Sequence, residues 1–252
     1  MAWPFWIILA VVTVCAWAFV ARRIFHNPWG DVEGGLLWVF GLLYVRAVHR
    51  LAVHGEENVP HAKTPGPLII IANHTAGIDP LLIQSACPFP VRWMMAIDMR
   101  LPALEWFWKW IGIIDVDREG GASVTAVRDS MRHLRGHGVL GIFPEGQLER
   151  PARHLLPFQP GVGTLVQKTG ALVLPVIIDG TPQVDPAWAS LWRRSRSSIR
   201  FMPMIDYRGT SLTGEQIAQD LRDRFLAWTG WPAAEGSPPS ARATNGQQVQ
   251  AG

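Results

Sequence analysis

Leu68-Ile69-Ile70-Ile71-Ala72-Asn73-His74-Thr75-Ala76-Gly77-Ile78-Asp79-Pro80 is the stretch on which the fold turns. Its first five residues are a short apolar run rich in β-branched side chains, and a run of that length reads as a buried strand. The run stops at Asn73, and Asp79 stands near the start of the next helix, with Gly77 allowing the chain to turn between them. A strand, a short polar loop and a helix make one unit of an α/β sheet. Ligand and catalytic groups in such sheets collect at the carboxyl ends of strands, which is where His74 lies.

The same pattern repeats outward. Short apolar runs at 92–96, 113–116, 139–143, 173–178 and 199–202 read as strands. Segments 79–85, 102–110, 123–135, 161–169 and 213–228 read as helices between or after them. This alternation predicts an α/β fold, a mixed and mostly parallel sheet layered with helices, over residues 55–231. Residues 232–252 are small and polar without apolar period and read as a disordered tail.

Residues 1–54 have another character. No charged side chain occurs from Ala2 to Val20, nineteen positions. At ~1.5 Å per residue they reach about 28 Å, close to the ~30 Å of a bilayer core. Arg22 and Arg23 follow at once. A signal peptide carries its positive charge before the apolar run, so this order favours a retained anchor with the following chain on the cytoplasmic side. After Pro28-Trp29-Gly30, the residues Leu36, Val39, Phe40, Leu43, Tyr44, Ala47 and Leu51 recur at helical spacing, with Arg46, His49 and Arg50 largely off the stripe. This amphipathic helix either lies in the membrane interface or caps the globular core.

Composition agrees with contact with lipid. Hydrophobic residues make up 48% and charged residues 17%, and thirteen Trp stand against two Tyr; indole favours bilayer interfaces. A net charge of +3 fits a phosphate-bearing substrate or an anionic membrane, not a nucleic-acid partner, which calls for a dense Lys/Arg stripe. Cys15 and Cys87 are too few for a disulfide framework or a zinc cluster. No nucleophile elbow, phosphate-binding Gly loop, C-x-x-C or H-E-x-x-H occurs, no second His/Asp/Glu cluster has metal-ligand spacing, and chemistry without a cofactor is expected.

His74 and Asp79 are five residues apart, and a loop of that length can fold the carboxylate back onto the ring. The carboxylate then holds one ring nitrogen as donor and leaves the other to accept a proton from a hydroxyl. On spacing alone the pair reads rather as a loop histidine beside a helix-capping aspartate, and the blocks that follow change that balance.

Three further blocks follow in order: Gly112-Ile113-Ile114-Asp115-Val116-Asp117-Arg118, Phe143-Pro144-Glu145-Gly146-Gln147 and Leu174-Pro175-Val176-Ile177-Ile178. With Asn73-His74-x4-Asp79 they make a set that resembles the glycerol-phosphate acyltransferase superfamily over about residues 50–182, in its bacterial lysophosphatidic acid acyltransferase branch. The resemblance implies transfer of an acyl group from an acyl-CoA or acyl carrier protein thioester to a lysophospholipid hydroxyl. It makes His74 the general base, Asp79 its orienting partner, Arg118 a ligand of the acceptor phosphate, and Glu145 and Gly146 part of the acceptor pocket. Gln147 and Leu148 stand where the family carries Thr and a second Arg. Of Arg150 and Arg153, neither in register, Arg150 is assigned to the acceptor phosphate beside Arg118. The acceptor headgroup therefore stays open. Rival expectations are a lipid or thioester hydrolase using the same base on water, and a catalytically silent lipid-binding protein.

Two peripheral clusters remain. Trp106, Trp108 and Trp110 read as lining of an acyl tunnel, as an interfacial patch or as core packing. Trp188 and Trp192 border Arg193, Arg194, Arg196 and Arg200, which suits anionic headgroups or a solvated loop.

Overall fold

The computed structural model describes residues 3–117 and 124–234. Two helices lead, α1 (Trp3–Phe25) and α2 (Val32–Val48). The sheet domain then runs β1 (Ala52–His54), β2 (Leu68–Ala72), α3 (Asp79–Ala86), β3 (Arg92–Ala96), α4 (Glu105–Ile111), β4 (Ile114–Val116), α5 (Val124–Arg135), β5 (Val139–Ile142), α6 (Pro160–Thr169), β6 (Leu172–Asp179), β7 (Ser198–Phe201) and α7 (Gly214–Thr229). Among the described residues the strands form one seven-stranded sheet, ordered β1-β7-β6-β2-β5-β3-β4. Every pairing is parallel except β6 with β7. The mixed, mostly parallel sheet layered with helices is the expected architecture.

The five-residue apolar run is β2, and all five side chains are buried because it lies between β5 and β6 with helices on both faces. Alternation along the strand divides the core. Leu68, Ile70 and Ala72 join a cluster with Ile78, Leu82 and Val45, the α2–α3 side. Ile69 and Ile71 join the opposite cluster with Leu134, Val162 and Phe225, the α5–α6–α7 side. The sheet thus separates two helical layers.

Helix α1 is 23 residues long, has no buried residue, and is the one helix among the described residues long and apolar enough to cross a bilayer. Asn27 knits the corner after it, donating to the Ile24 and Asp31 carbonyls and accepting from the Trp29 and Gly30 N–H groups, and Asp31 caps α2 through the Gly34 N–H. The packed face of α2 differs from the stripe read in the sequence. Gly34, Gly35, Gly41 and Val45 are buried, whereas Leu36, Phe40 and Leu43 point outward. The helix is apolar nearly all round, so periodicity did not show which face docks. A Cβ at Gly35 would strike the Ile24 carbonyl, so close approach of the two helices selected the glycine face. His49, expected off the stripe, is fully buried between Tyr44 and Ser195.

Strand β1 was not foreseen; it is three residues long on the sheet edge. At the other terminus, Leu155 bonds to Pro232 and Ala234, so residues 232–234 of the expected tail belong to the fold, while residues 235–252 lie outside the described residues. Arg118 also lies outside them.

Candidate active site

The strand order explains how distant blocks meet. Because β2 is central, the loop after it is flanked by the loops after β5 and β6, which carry the third and fourth blocks. Of block two, the described residues carry β4, three strand spacings from β2, or about 14 Å.

His74 sits in the β2–α3 loop, and its Nδ1 is 2.9 Å from Asp79 Oδ2. Asp79 is the first residue of α3 and is fully buried. The same Oδ2 accepts the backbone N–H groups of Thr75 (2.8 Å) and Ala76 (2.9 Å), so the carboxylate closes the loop on itself. An oxygen accepting two N–H groups is held as an acceptor, which makes Nδ1 the protonated ring nitrogen and leaves Nε2 with its lone pair. The His74 side chain is 21% exposed. Gly77 lets the loop pass close to its neighbour: a Cβ there would lie 2.7 Å from the Ala187 carbonyl oxygen.

The ring plane is set by an aromatic stack. Phe143 lies 3.9 Å from the His74 ring, 13° from parallel, and Trp93 lies 5.0 Å beyond Phe143. Trp93 occupies the space over Gly141, where a Cβ would meet its ring. In the sequence Phe143 stands only as the first residue of the third block and Trp93 is not singled out; neither is given a place beside the ring. The available signal was Gly141 within a strand, which often marks close approach of another group.

The loop after β5 holds the backbone of His74 from both sides. The His74 N–H donates to Glu145 Oε1 (2.9 Å), and the His74 carbonyl accepts the Glu149 N–H (2.6 Å). Glu145 Oε2 accepts the Leu156 N–H (3.0 Å), so this buried carboxylate joins two loops. Burial, reinforced by the nearby charge of Glu149, pushes its pKa well above the usual carboxylate range. Glu149 Oε2 accepts the Arg153 N–H, and burial raises the Glu149 pKa to about 7. Gly146 turns the loop with φ +70°.

Arg150 is drawn into the same scaffold. It donates to the carbonyls of Thr75 and Glu149, each at 2.8 Å, and reaches Val184 and Asp185 at 3.3 and 3.4 Å. Arg153 pairs through two nitrogens with Asp179. Thr75 bonds Thr181 hydroxyl to hydroxyl, and Asn73 bonds both backbone groups of Ile178, which ties the β2 end to β6. A 210 Å³ pocket opens beside this junction, lined by Thr75, Arg153, Asp179 and Thr181 among others. His74, Asp79, Glu145, Gly146 and Arg150 are thus brought into one region. Glu145 faces backbone, and Arg150 donates mainly to backbone carbonyls.

The tryptophans of α4 diverge. Trp108 is buried and donates to the Leu101 carbonyl, Trp110 stacks on Trp29 of the α1–α2 corner, and Trp106 is exposed.

Comparison with known proteins shows what the chain and its fold are similar to. The chain is 25% identical over 186 residues to the chloroplastic 1-acyl-sn-glycerol-3-phosphate acyltransferase BAT2 of Brassica napus, covering 71% of this chain and 51% of that protein. It is 24% identical over 189 residues to the N-acylphosphatidylethanolamine synthase of Arabidopsis thaliana, covering 69% and 65%. The chain spans about half the length of the first of these relatives. Its fold matches the crystal structure of the 1-acyl-sn-glycerophosphate acyltransferase PlsC from Thermotoga maritima with TM-score 0.62 and 21% identity, over 92% of this chain and 95% of that one. The family model for Acyltransferase matches residues 50–179, about half of the chain and all four sequence blocks; the protein belongs to the acyltransferase family.

Proposed function

We propose that the protein is a membrane-bound O-acyltransferase that moves a fatty acyl group from an acyl-CoA or acyl carrier protein thioester to the hydroxyl of a lysophospholipid, with lysophosphatidic acid the first acceptor to test. The observation that carries this reading is the buried Asp79 carboxylate on His74 Nδ1 at 2.9 Å, with Nε2 left as a base. Nε2 takes the proton of the acceptor hydroxyl, and the oxygen attacks the thioester carbon. The tetrahedral intermediate collapses with cleavage of the carbon–sulfur bond. The thiolate takes the proton from the imidazolium and leaves as a free thiol. No acyl-enzyme forms, and no cofactor is required.

Arg118 and Arg150 are assigned to the acceptor headgroup, with Glu145 and Gly146 shaping the pocket. A planar, permanently charged guanidinium suits a phosphate. Anchoring falls to α1, and Arg22 and Arg23 in its last turn favour the cytoplasmic side for the sheet domain.

Membranes carrying the protein, given a labelled acyl donor and a panel of lysolipids, are expected to form esterified lipid; free fatty acid without ester overturns transfer in favour of hydrolysis. His74→Ala is expected to lower turnover by ~10²–10⁴, the contribution of a positioned general base. Activity within a few-fold of wild type removes His74 from that role. Arg118→Ala is expected to weaken a charged acceptor by ~2–5 kcal/mol, read as a raised acceptor KM with kcat little changed.

A further inference from the structure

The turn between the last 3-10 helix, Ala187–Trp192, and β7 is clamped onto α2 at both ends. The Tyr44 hydroxyl donates to the Leu191 carbonyl, and the Ser195 N–H donates to the Val48 carbonyl at 3.2 Å. Phe40, itself 68% exposed, stacks on Tyr44. Between the clamps Trp192 is 83% exposed, and Arg193 and Arg194 are exposed beside it. Arg196 follows, and Arg46 and Arg50 at the end of α2 are exposed as well. None of these five arginines forms an ion pair with a described residue. Leu36, Phe40 and Leu43 of the same helix are exposed as well.

A turn held this firmly presents its indole and guanidinium groups at a fixed place. The molecule has another basic helix face, Arg128, Arg132 and Arg135 on α5, but α5 packs on the opposite side of the sheet from α2. The turn, bonded to α2, lies on the side of the sheet that α2 covers. An apolar surface bordered by an exposed Trp and unpaired arginines matches the acyl-to-headgroup boundary of a bilayer bearing negative charge. We propose that the turn at residues 192–196, with Arg46 and Arg50, is a docking surface for anionic lipid headgroups, and that it seats the sheet domain against the membrane that holds α1. The proposal rests on the membrane reading of α1.

The test uses the full chain, diluted from detergent into a mixture of phosphatidylcholine vesicles and vesicles with one third phosphatidylglycerol, and measures its distribution between them. Wild type is expected to favour the anionic vesicles. The variant R193Q/R194Q/R196Q is expected to lose about 100-fold of that preference, about fivefold for each charge at ~1 kcal/mol, while still binding vesicles through α1. R128Q/R132Q/R135Q removes the same charge from the other side of the sheet and is expected to keep the preference. Equal partitioning of wild type and the turn variant overturns the proposal, as does an equal loss in the α5 variant. Retention on heparin without preference between vesicles overturns it in favour of a soluble polyanionic partner. Failure of wild type to bind neutral vesicles with the anionic preference intact overturns the anchor and the seating against it, and upholds the turn as a headgroup surface.

Discussion

Glu149 shows how a residue outside the His74–Asp79 pair can hold it in place. Its N–H holds the His74 carbonyl, and its side chain holds the Arg153 N–H from a fully buried position. With a folded pKa of about 7 against an ordinary 4.5, the group is protonated in the fold over a range where the unfolded chain is ionised. Folding therefore takes up a proton there. The stability is fully present below about pH 4.5 and is lost as pH rises through 7, by roughly 3 kcal/mol at the top of the range. Glu149→Gln is expected to flatten this slope and raise Tm at pH 8 while leaving pH 5 little changed, measured by thermal unfolding across pH. Glu145 shifts in the same direction, so some slope persists. Asp79→Asn probes the orienting role: it removes the charge that steadies the imidazolium and is expected to cut turnover by ~10² or more, checked by steady-state assay beside unfolding of the same sample.

Among the elements, the approach of α6 to α7 gives meaning to a motif without chemical reading in the sequence. Gly161-Val162-Gly163 is no phosphate loop. A Cβ at Gly163 would fall on the Gly214 carbonyl oxygen, so the glycine lets the two helices cross closely. Gly163→Ala is expected to destabilise the fold by ~1–3 kcal/mol through overpacking, measured by denaturant unfolding, with the donor and acceptor KM unchanged in the folded fraction. Most interior elements were legible. The expected strand at 68–72 and the helix start at Asp79 match β2 and α3 as built. Strand β1 was not, because three residues with one partner on an edge leave no apolar run to read. The docking face of α2 was hidden for the opposite reason, too much apolar surface on every side.

For the molecule as a whole, the exposed α1 and the two-layered sheet domain make one arrangement testable. A fluorescent protein fused at the C-terminus is expected to fold and fluoresce in the cytoplasm, and alkaline phosphatase fused at the same point to stay inactive. The reverse pattern overturns the assigned side. The α/β class, the apolar helix and the order of the four blocks were determined by the sequence, because they follow from local runs, charge order and spacing along one chain. That His74 and Asp79 stand near each other was allowed by their spacing, since a five-residue loop can close. Tertiary structure alone decided what surrounds them. Placing β2 between β5 and β6 brings Phe143 onto the His74 ring, and Glu145 and Glu149 onto its backbone, from about seventy residues away. Such contacts depend on strand order and register, which the periodicity of any single segment does not encode.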